Sequence, residues 1–338
     1  MSGPAGWLQD RIGGYRTSPE SSTAAPRTQR ADRSGGIDAL RVLAAGMVFL
    51  YHAAPFGLAL PLVGRAGREG VIVFFVISAY VLYRPMVDEG ANLRRYALRR
   101  ATRIYPAYVV ALAGSSLLSG LPLSPAYLVF GQTADLSQHT LLPVSWTLQV
   151  EVAFYLALPF IAALVRPLRF RAPALLMASA LLYLGVAFVT PVAIETGPWS
   201  IAWFAWVFPL GMAAATVRRP TTWLLPVGVI ALVGALALAW TQPLDAPMAI
   251  AGVLLVLGIR EVKVPRWLAL SGSRLSYPFY LWHATLLTIL ANPLVALVAT
   301  LAVSGMSWIA IERPSMAWSG RLGRRRVPVT ALPAAPPA

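Results

Sequence analysis

From about residue 37 to residue 311, long apolar stretches alternate with short arginine clusters, and this alternation constrains the fold more than any other feature of the chain. About 20 mostly apolar residues are enough to cross a bilayer as a helix. Ten such stretches occur, at about 37–58, 70–87, 104–122, 145–165, 173–192, 199–217, 222–240, 245–259, 275–291 and 293–311. The eighth is short, and Asn292-Pro293 leaves only a tight turn between the last two. The clusters between them test the count, because Lys and Arg are retained in the cytoplasmic loops of membrane proteins. With the first residue in the cytoplasm, all but three of the 28 basic residues fall in tails and loops on the inside. The exceptions are Arg65 and Arg68 on the outside and Arg41 within the first helix. A missed or extra helix would exchange inside for outside in every later loop. The expected fold is therefore an all-α polytopic membrane protein of about ten transmembrane helices, with N- and C-termini in the cytoplasm.

Composition points the same way. Hydrophobic residues make up 57% and charged residues 12%, against roughly 45–50% and about 25% in soluble domains. Lipid offers no water to charge or backbone, so a spanning chain must satisfy its backbone within helices. A net charge of +15 would suit nucleic acid if it formed one basic face. Here it is split among short clusters, so no nucleic-acid partner is expected and most of the clusters are read as topological. The chain has no cysteine, which excludes disulfides, thiolate catalysis and cysteine-bound metal. Its three histidines, His52, His139 and His283, have no helical ligand spacing, so no metal site is expected.

Residues 1–33 are rich in Ser, Thr, Pro and Arg and read as a disordered cytoplasmic tail. Residues 316–338, basic and then Pro/Ala-rich, read as a second. Residues 34–315 between them form one membrane domain. Its one substantial outside loop, 123–144, contains Asp135 and His139. No inverted repeat of the kind common in transporters is visible.

Ionisable residues inside a membrane are costly and usually functional. Asp38, Arg41, His52, Glu151 and His283 are in this class, with Glu312 near the cytoplasmic end of the last helix. Arg41 and His52 are eleven residues apart, close to three helical turns, so they share a face about 16 Å apart along the axis. That face links a cytoplasmic anion-binding group to a deeper proton acceptor. The bland alternative is that Arg41 reaches lipid phosphate and His52 bonds a nearby carbonyl. Glu151 lies about two turns into a helix that begins near Ser145, level with His52. A carboxylate there needs a partner, and His52 is a natural one; a purely structural pair is the alternative. His283, in the aromatic run Tyr277-Pro278-Phe279-Tyr280-Leu281-Trp282, is equally a packed core histidine or a site residue. Arg100 and Arg103, one turn apart after Arg94, Arg95 and Arg99, suit anionic lipid or a phosphorylated substrate gripped by both.

These segments together resemble the acyltransferase 3 family of multi-pass membrane O-acyltransferases. The resemblance spans about residues 34–315. Gly36-Ile37-Asp38-Ala39-Leu40-Arg41 is similar to the family's opening, and Arg41, ten residues, then His52 reproduces its Arg/Lys–x10–His motif. Gly70 through Ser78 resembles its phenylalanine-pair and serine segment, although Ile72 stands where Asp is common and Ala79 where Gly is. Arg100 through Pro106 resembles its Arg–x–x–Arg motif. Ser145-Trp146-Thr147-Leu148 with Glu151, Phe154 and Tyr155 resembles its fourth-helix signature. Ser276 through His283 and Glu312-Arg313-Pro314 resemble its late-helix and closing motifs. No one motif is specific; six in this order are.

The resemblance implies an O-acyltransferase of the inner (plasma) membrane. Its donor would be acyl-CoA, acetyl-CoA first, used as a substrate rather than a tightly bound cofactor. Its acceptor would be a hydroxyl of a sugar, glycan, lipid or secondary metabolite, such as an envelope glycan or antibiotic sugar. His52 would be the general base, with Glu151 orienting it or stabilising its imidazolium. Arg41, Ser78, Arg100, Arg103, Tyr105, Trp146, Tyr155 and His283 would contact the substrates, the cytoplasmic arginines, Arg100 and Arg103 above all, holding the coenzyme's phosphates and Arg41, Trp146, Tyr155 and His283 shaping the pocket. A transporter or flippase for an anionic amphiphile is the alternative from another class, since a polar face in a bundle serves transport too. A catalytically inactive scaffold is a third.

Overall fold

The computed structural model describes residues 35–61, 67–131, 141–189, 200–219, 221–238 and 245–322. The expected N-terminal tail, His139 and Arg65 lie outside them. Every regular element among the described residues is helical. In chain order the helices are α1 (Gly35–Ala53), α2 (Gly70–Val87), α3 (Leu93–Ser119), α4 (Pro125–Leu128) and α5 (Ser145–Val165). They continue as α6 (Arg171–Val189), α7 (Ser200–Phe204), α8 (Val207–Thr216), α9 (Leu224–Leu238) and α10 (Asp245–Ile259). The last are α11 (Arg266–Arg274), α12 (Ser276–Leu290), α13 (Pro293–Ser307) and α14 (Arg313–Leu322).

Among the described residues, five segments are long and apolar enough to cross a membrane: Gly35–Phe56, Gly70–Val87, Ser145–Val165, Arg171–Phe188 and Pro293–Leu322. Three shorter apolar segments, Ser200–Thr216, Leu224–Leu238 and Asp245–Ile259, accompany them. A 15-residue helix is only about 22 Å long, short of a hydrocarbon core of about 30 Å.

Helix α2 is the centre of the bundle, packed by α1, α5, α8 and α10. Between Gly70 and Tyr83 it carries no charged residue, and 67% of its span is buried, against 11% of the span of α6. Two glycines bring its neighbours close. A Cβ on Gly70 would lie 2.7 Å from the Ala44 carbonyl oxygen of α1, and one on Gly211 of α8 would lie 2.5 Å from that of Val76. Any side chain there would force backbones apart, and small residues are what allow membrane helices to approach this closely.

Several elements depart from the sequence expectation for local reasons. The stretch 199–217 is not one helix but α7 and α8, broken after Phe204. Pro209 lacks an N–H and its ring clashes with the carbonyl four residues earlier, at Ala205. Helix α3 starts at Leu93 rather than near 104, because the Asn92 side chain accepts from the Arg95 N–H at 3.0 Å and caps it. The whole arginine cluster is therefore helical. The basic segment 260–274, expected as a loop, contains α11, which packs on α1. A π-helical turn at Trp308–Glu312 joins α13 to α14, and Pro314 follows it as the second residue of α14. Disorder expected from 316 is corrected as far as Leu322, which is helical; residues 323–338 lie outside the described set. The tight turn at Asn292 does form, with its side chain accepting from Leu294 and Val295 N–H, both at 3.1 Å.

Candidate active site

Helices α1, α2, α3, α5 and α12 enclose an inner chamber of about 110 Å³. Its polar lining includes Arg41, Ser78, Arg100, Arg103, Glu151 and Tyr155, with Phe74 and Val71 among its apolar walls. Glu151 and Tyr155 are one turn apart on α5, so both face it. The Glu151 carboxylate accepts from Ser78 Oγ at 2.5 Å and from the Tyr155 hydroxyl, both at Oε1. Arg41 is ion-paired with Asp38, one turn back on α1. Arg103 donates to the Ser273 carbonyl at 3.2 Å and reaches Met316 Sδ at 3.6 Å. The Arg100 guanidinium lies 5.7 Å from the centre of the Tyr155 ring, a cation–π contact. Its Nε is buried with no hydrogen-bond partner among the described residues. Arg41, Arg100, Arg103 and Glu151 thus line one chamber, with Asp38 paired to Arg41.

Arg100 also lines a larger cleft of about 900 Å³, with Arg84, Arg95, Arg99, Arg218 and Arg260 and the opposing Glu89 and Glu261. Two of these arginines have structural work as well. Arg84 donates to the Ala215 and Val217 carbonyls at 3.0 and 3.2 Å, and Arg260 to those of Val217, at 2.6 Å, and Arg219. They satisfy carbonyls at and beyond the C-terminal end of α8, which a helix leaves unpaired.

A separate outer chamber of about 280 Å³ is lined by His52, Tyr51, Trp146, Val144 and Ser145. It shares Val71 and Tyr280 with the inner chamber. The Tyr280 hydroxyl lies 2.7 Å from Thr147 Oγ1, which holds this wall across α12 and α5. His52 Nδ1 is 2.9 Å from the Val48 carbonyl and 3.3 Å from Nε2 of His283, the two rings meeting edge to face at 5.0 Å. His283 is only 1% exposed.

A family model described as an acyltransferase domain matches residues 34–311. The chain belongs to the acyltransferase 3 family. It is 28% identical to the exopolysaccharide production protein ExoZ of Rhizobium meliloti (strain 1021) over 302 residues, covering 77% of this chain and 92% of that protein. It is 26% identical to nodulation protein 10 of Rhizobium leguminosarum bv. viciae, over 86% of this chain and 96% of the relative. It is 31% identical to the acyltransferase MdmB of Streptomyces mycarofaciens, over 67% and 68%. No solved structure matches it.

In this acyltransferase the expected site residues divide into three groups. Arg41, Ser78, Arg100, Arg103, Glu151 and Tyr155 come together at the inner chamber. His52 and Trp146 line the outer one, with His283 directly behind His52. Tyr105 joins neither: it is 42% exposed, donates to the Leu128 carbonyl at 3.1 Å and lines an apolar cleft between α3 and α5. Two residues beyond Arg103, it is turned about 200° around the helix, to the opposite side. The expected Glu151–His52 pairing is also replaced. Trp146 reaches the outer chamber, but Glu151 is five residues further along α5, about 7.5 Å down the axis, where Ser78 and Tyr155 take it.

Sequence reasoning passed over Thr147, Tyr277 and Tyr280. The Tyr277 hydroxyl donates to the Ile104 carbonyl at 2.8 Å and ties α12 to α3 beside the inner chamber. A signal existed: Ser276, Tyr280 and His283 recur at helical spacing, so the face that carries His283 also carries Tyr280. Among the described residues, no group of three or more His, Asp or Glu is placed to hold a metal ion.

Proposed function

We propose that this acyltransferase moves an acyl group from acyl-CoA, acetyl-CoA first, to a hydroxyl of a glycan, lipid or secondary metabolite, with His52 as general base. The observation that carries this is the shared wall. Val71 and Tyr280 separate a chamber lined by three arginines from one lined by a histidine. The anionic donor would enter from the arginine-lined cleft and rest in the inner chamber, held by Arg41, Arg100 and Arg103. Glu151, bonded to Ser78 and Tyr155, would keep those side chains in register and balance part of the positive charge.

The acceptor would meet the donor from the outer chamber. His52 takes the proton of the acceptor hydroxyl. The oxygen so activated forms a bond to the thioester carbonyl carbon. The C–S bond then breaks, and the coenzyme thiolate leaves and recovers the proton. Similarity to an exopolysaccharide production protein supports a glycan as the acceptor. Residues 34–315 would form one membrane domain of about ten spans in the plasma membrane, with both ends in the cytoplasm. The basic segments around α3 and α11 would then meet the cytosolic donor.

The test is thioester turnover by the purified chain in lipid nanodiscs. Release of free coenzyme A from acetyl-CoA should require an acceptor glycan or metabolite. Uptake of an anionic amphiphile into proteoliposomes, with no thioester consumed, would replace this function with transport.

A further inference from the structure

The histidine pair has a direction that follows from its neighbours. His283 Nδ1 lies 2.8 Å from the Tyr280 carbonyl and 3.3 Å from that of Phe279. Carbonyl oxygens only accept, so a ring nitrogen that faces two of them carries its proton. A neutral imidazole has one N–H and one bare nitrogen. The ring is buried, stacked on Phe279 at 6.1 Å and beside Phe49 at 6.4 Å, with no carboxylate hydrogen-bonded to it among the described residues. These surroundings favour the uncharged ring. Its Nε2 is then a lone pair aimed at His52.

The same reasoning carries one residue further. His52 Nδ1 faces the Val48 carbonyl at 2.9 Å and the bare Nε2 of His283 at 3.3 Å. Both are acceptors, so the His52 proton sits on Nδ1. A bare Nδ1 would set lone pair against lone pair on both contacts. His52 Nε2 makes no hydrogen bond among the described residues, and His52 lines the outer chamber.

We infer that His283 is a positioning residue: it holds the proton of His52 on Nδ1 and so leaves Nε2 of His52 as the nitrogen that takes the acceptor's proton. When Nε2 is protonated, the Nδ1–H of the resulting imidazolium stays directed at His283, which spreads the new charge along a chain ending on the Tyr280 carbonyl. This is the part that a carboxylate plays behind many catalytic histidines, here filled by a second imidazole. Because His283 acts through His52, its role rests on His52 being the base.

The chain has only three histidines, so 15N-histidine labelling of the full chain in nanodiscs leaves a spectrum simple enough to assign, with His139→Gln removing the third. Wild type should show protonated Nδ1 and bare Nε2 on both His52 and His283. His283→Leu removes the acceptor and should leave His52 as a mixture of tautomers. In that variant kcat should fall about 10- to 100-fold, the usual cost of losing an orienting partner, while KM for acetyl-CoA stays within about twofold. His283→Gln places an oxygen near the lost Nε2 and should restore the single tautomer and most of kcat. A wild-type His52 with its proton on Nε2, or a His283→Leu enzyme with unchanged kcat, would overturn the inference. If His283→Leu fails to fold, the wild-type spectrum still decides. Full turnover by His52→Ala would instead remove the base itself, whatever the spectrum shows.

Discussion

The inner and outer chambers share a wall and treat charge in opposite ways. The inner one is lined by Arg41, Arg100, Arg103 and Glu151, and nearly every group is tied to a neighbour by an ion pair, hydrogen bond or ring contact. The outer one presents His52, backed by His283 and bordered by Trp146, Val71 and Val144. Ionisable groups in a membrane are tolerated only when paired, and the two chambers meet that demand differently. The inner one ties its charged groups to neighbours, Arg41 to Asp38 and Glu151 to Ser78 and Tyr155. The outer one uses two uncharged rings whose hydrogen bonds run in one direction. In the proposed mechanism, holding an anionic donor and accepting a proton fall to separate compartments, with the reacting carbonyl at the boundary.

The largest expected effect comes from emptying the outer chamber. His52→Ala should lower acyl transfer by about 10²–10⁴-fold, the usual worth of a general base, while thermal unfolding in detergent stays near wild type. Normal transfer by this variant would erase the distinction between the chambers. A smaller effect is expected on the inner side. Arg103→Ala should raise KM for acyl-CoA by about 10- to 100-fold, as for one charge-assisted hydrogen bond of about 1.5–3 kcal/mol, with little change in KM for the acceptor. Equal changes in both KM values would show that the two compartments are not specialised. The smallest effect belongs to Tyr105→Phe. Its hydroxyl bonds Leu128 away from either chamber, so steady-state rates should stay within about twofold of wild type; a larger loss would move α3's outer side into the site.

Three spans show how much local sequence governs. The apolar stretches 70–87, 145–165 and 245–259 coincide with α2, α5 and α10. Each is bounded by charge, proline or glycine and needs no distant contact to become a helix. The misses are just as local. Pro209 divides a stretch that looks continuous by hydrophobicity, and Asn92 starts α3 a full three turns before its apolar part begins. Both signals were present but weaker to the eye than apolar length.

For the site, helical spacing put Arg41 and His52 on one face of α1 and Arg100 one turn from Arg103, and the family resemblance marked Ser78 and Tyr155 as their companions, with Glu151 beside them. Neither was enough to say what each residue faces across the bundle. Depth along two different helices decides whether Glu151 meets His52, and that depends on how α1 and α5 each seat against α2, which α1 approaches closely at Gly70. Sequence alone determined a helical membrane protein of the acyltransferase 3 family and singled out many of the polar residues that line its chambers, because hydrophobic length, charge clusters and helical period are properties of single segments. Tertiary structure alone decided that these residues form two chambers, that Glu151 is held by Ser78 rather than by His52, and that His52 is partnered by His283. Those pairings join residues 73 and 231 positions apart in the chain, and only the packing of whole helices brings such atoms within hydrogen-bond reach.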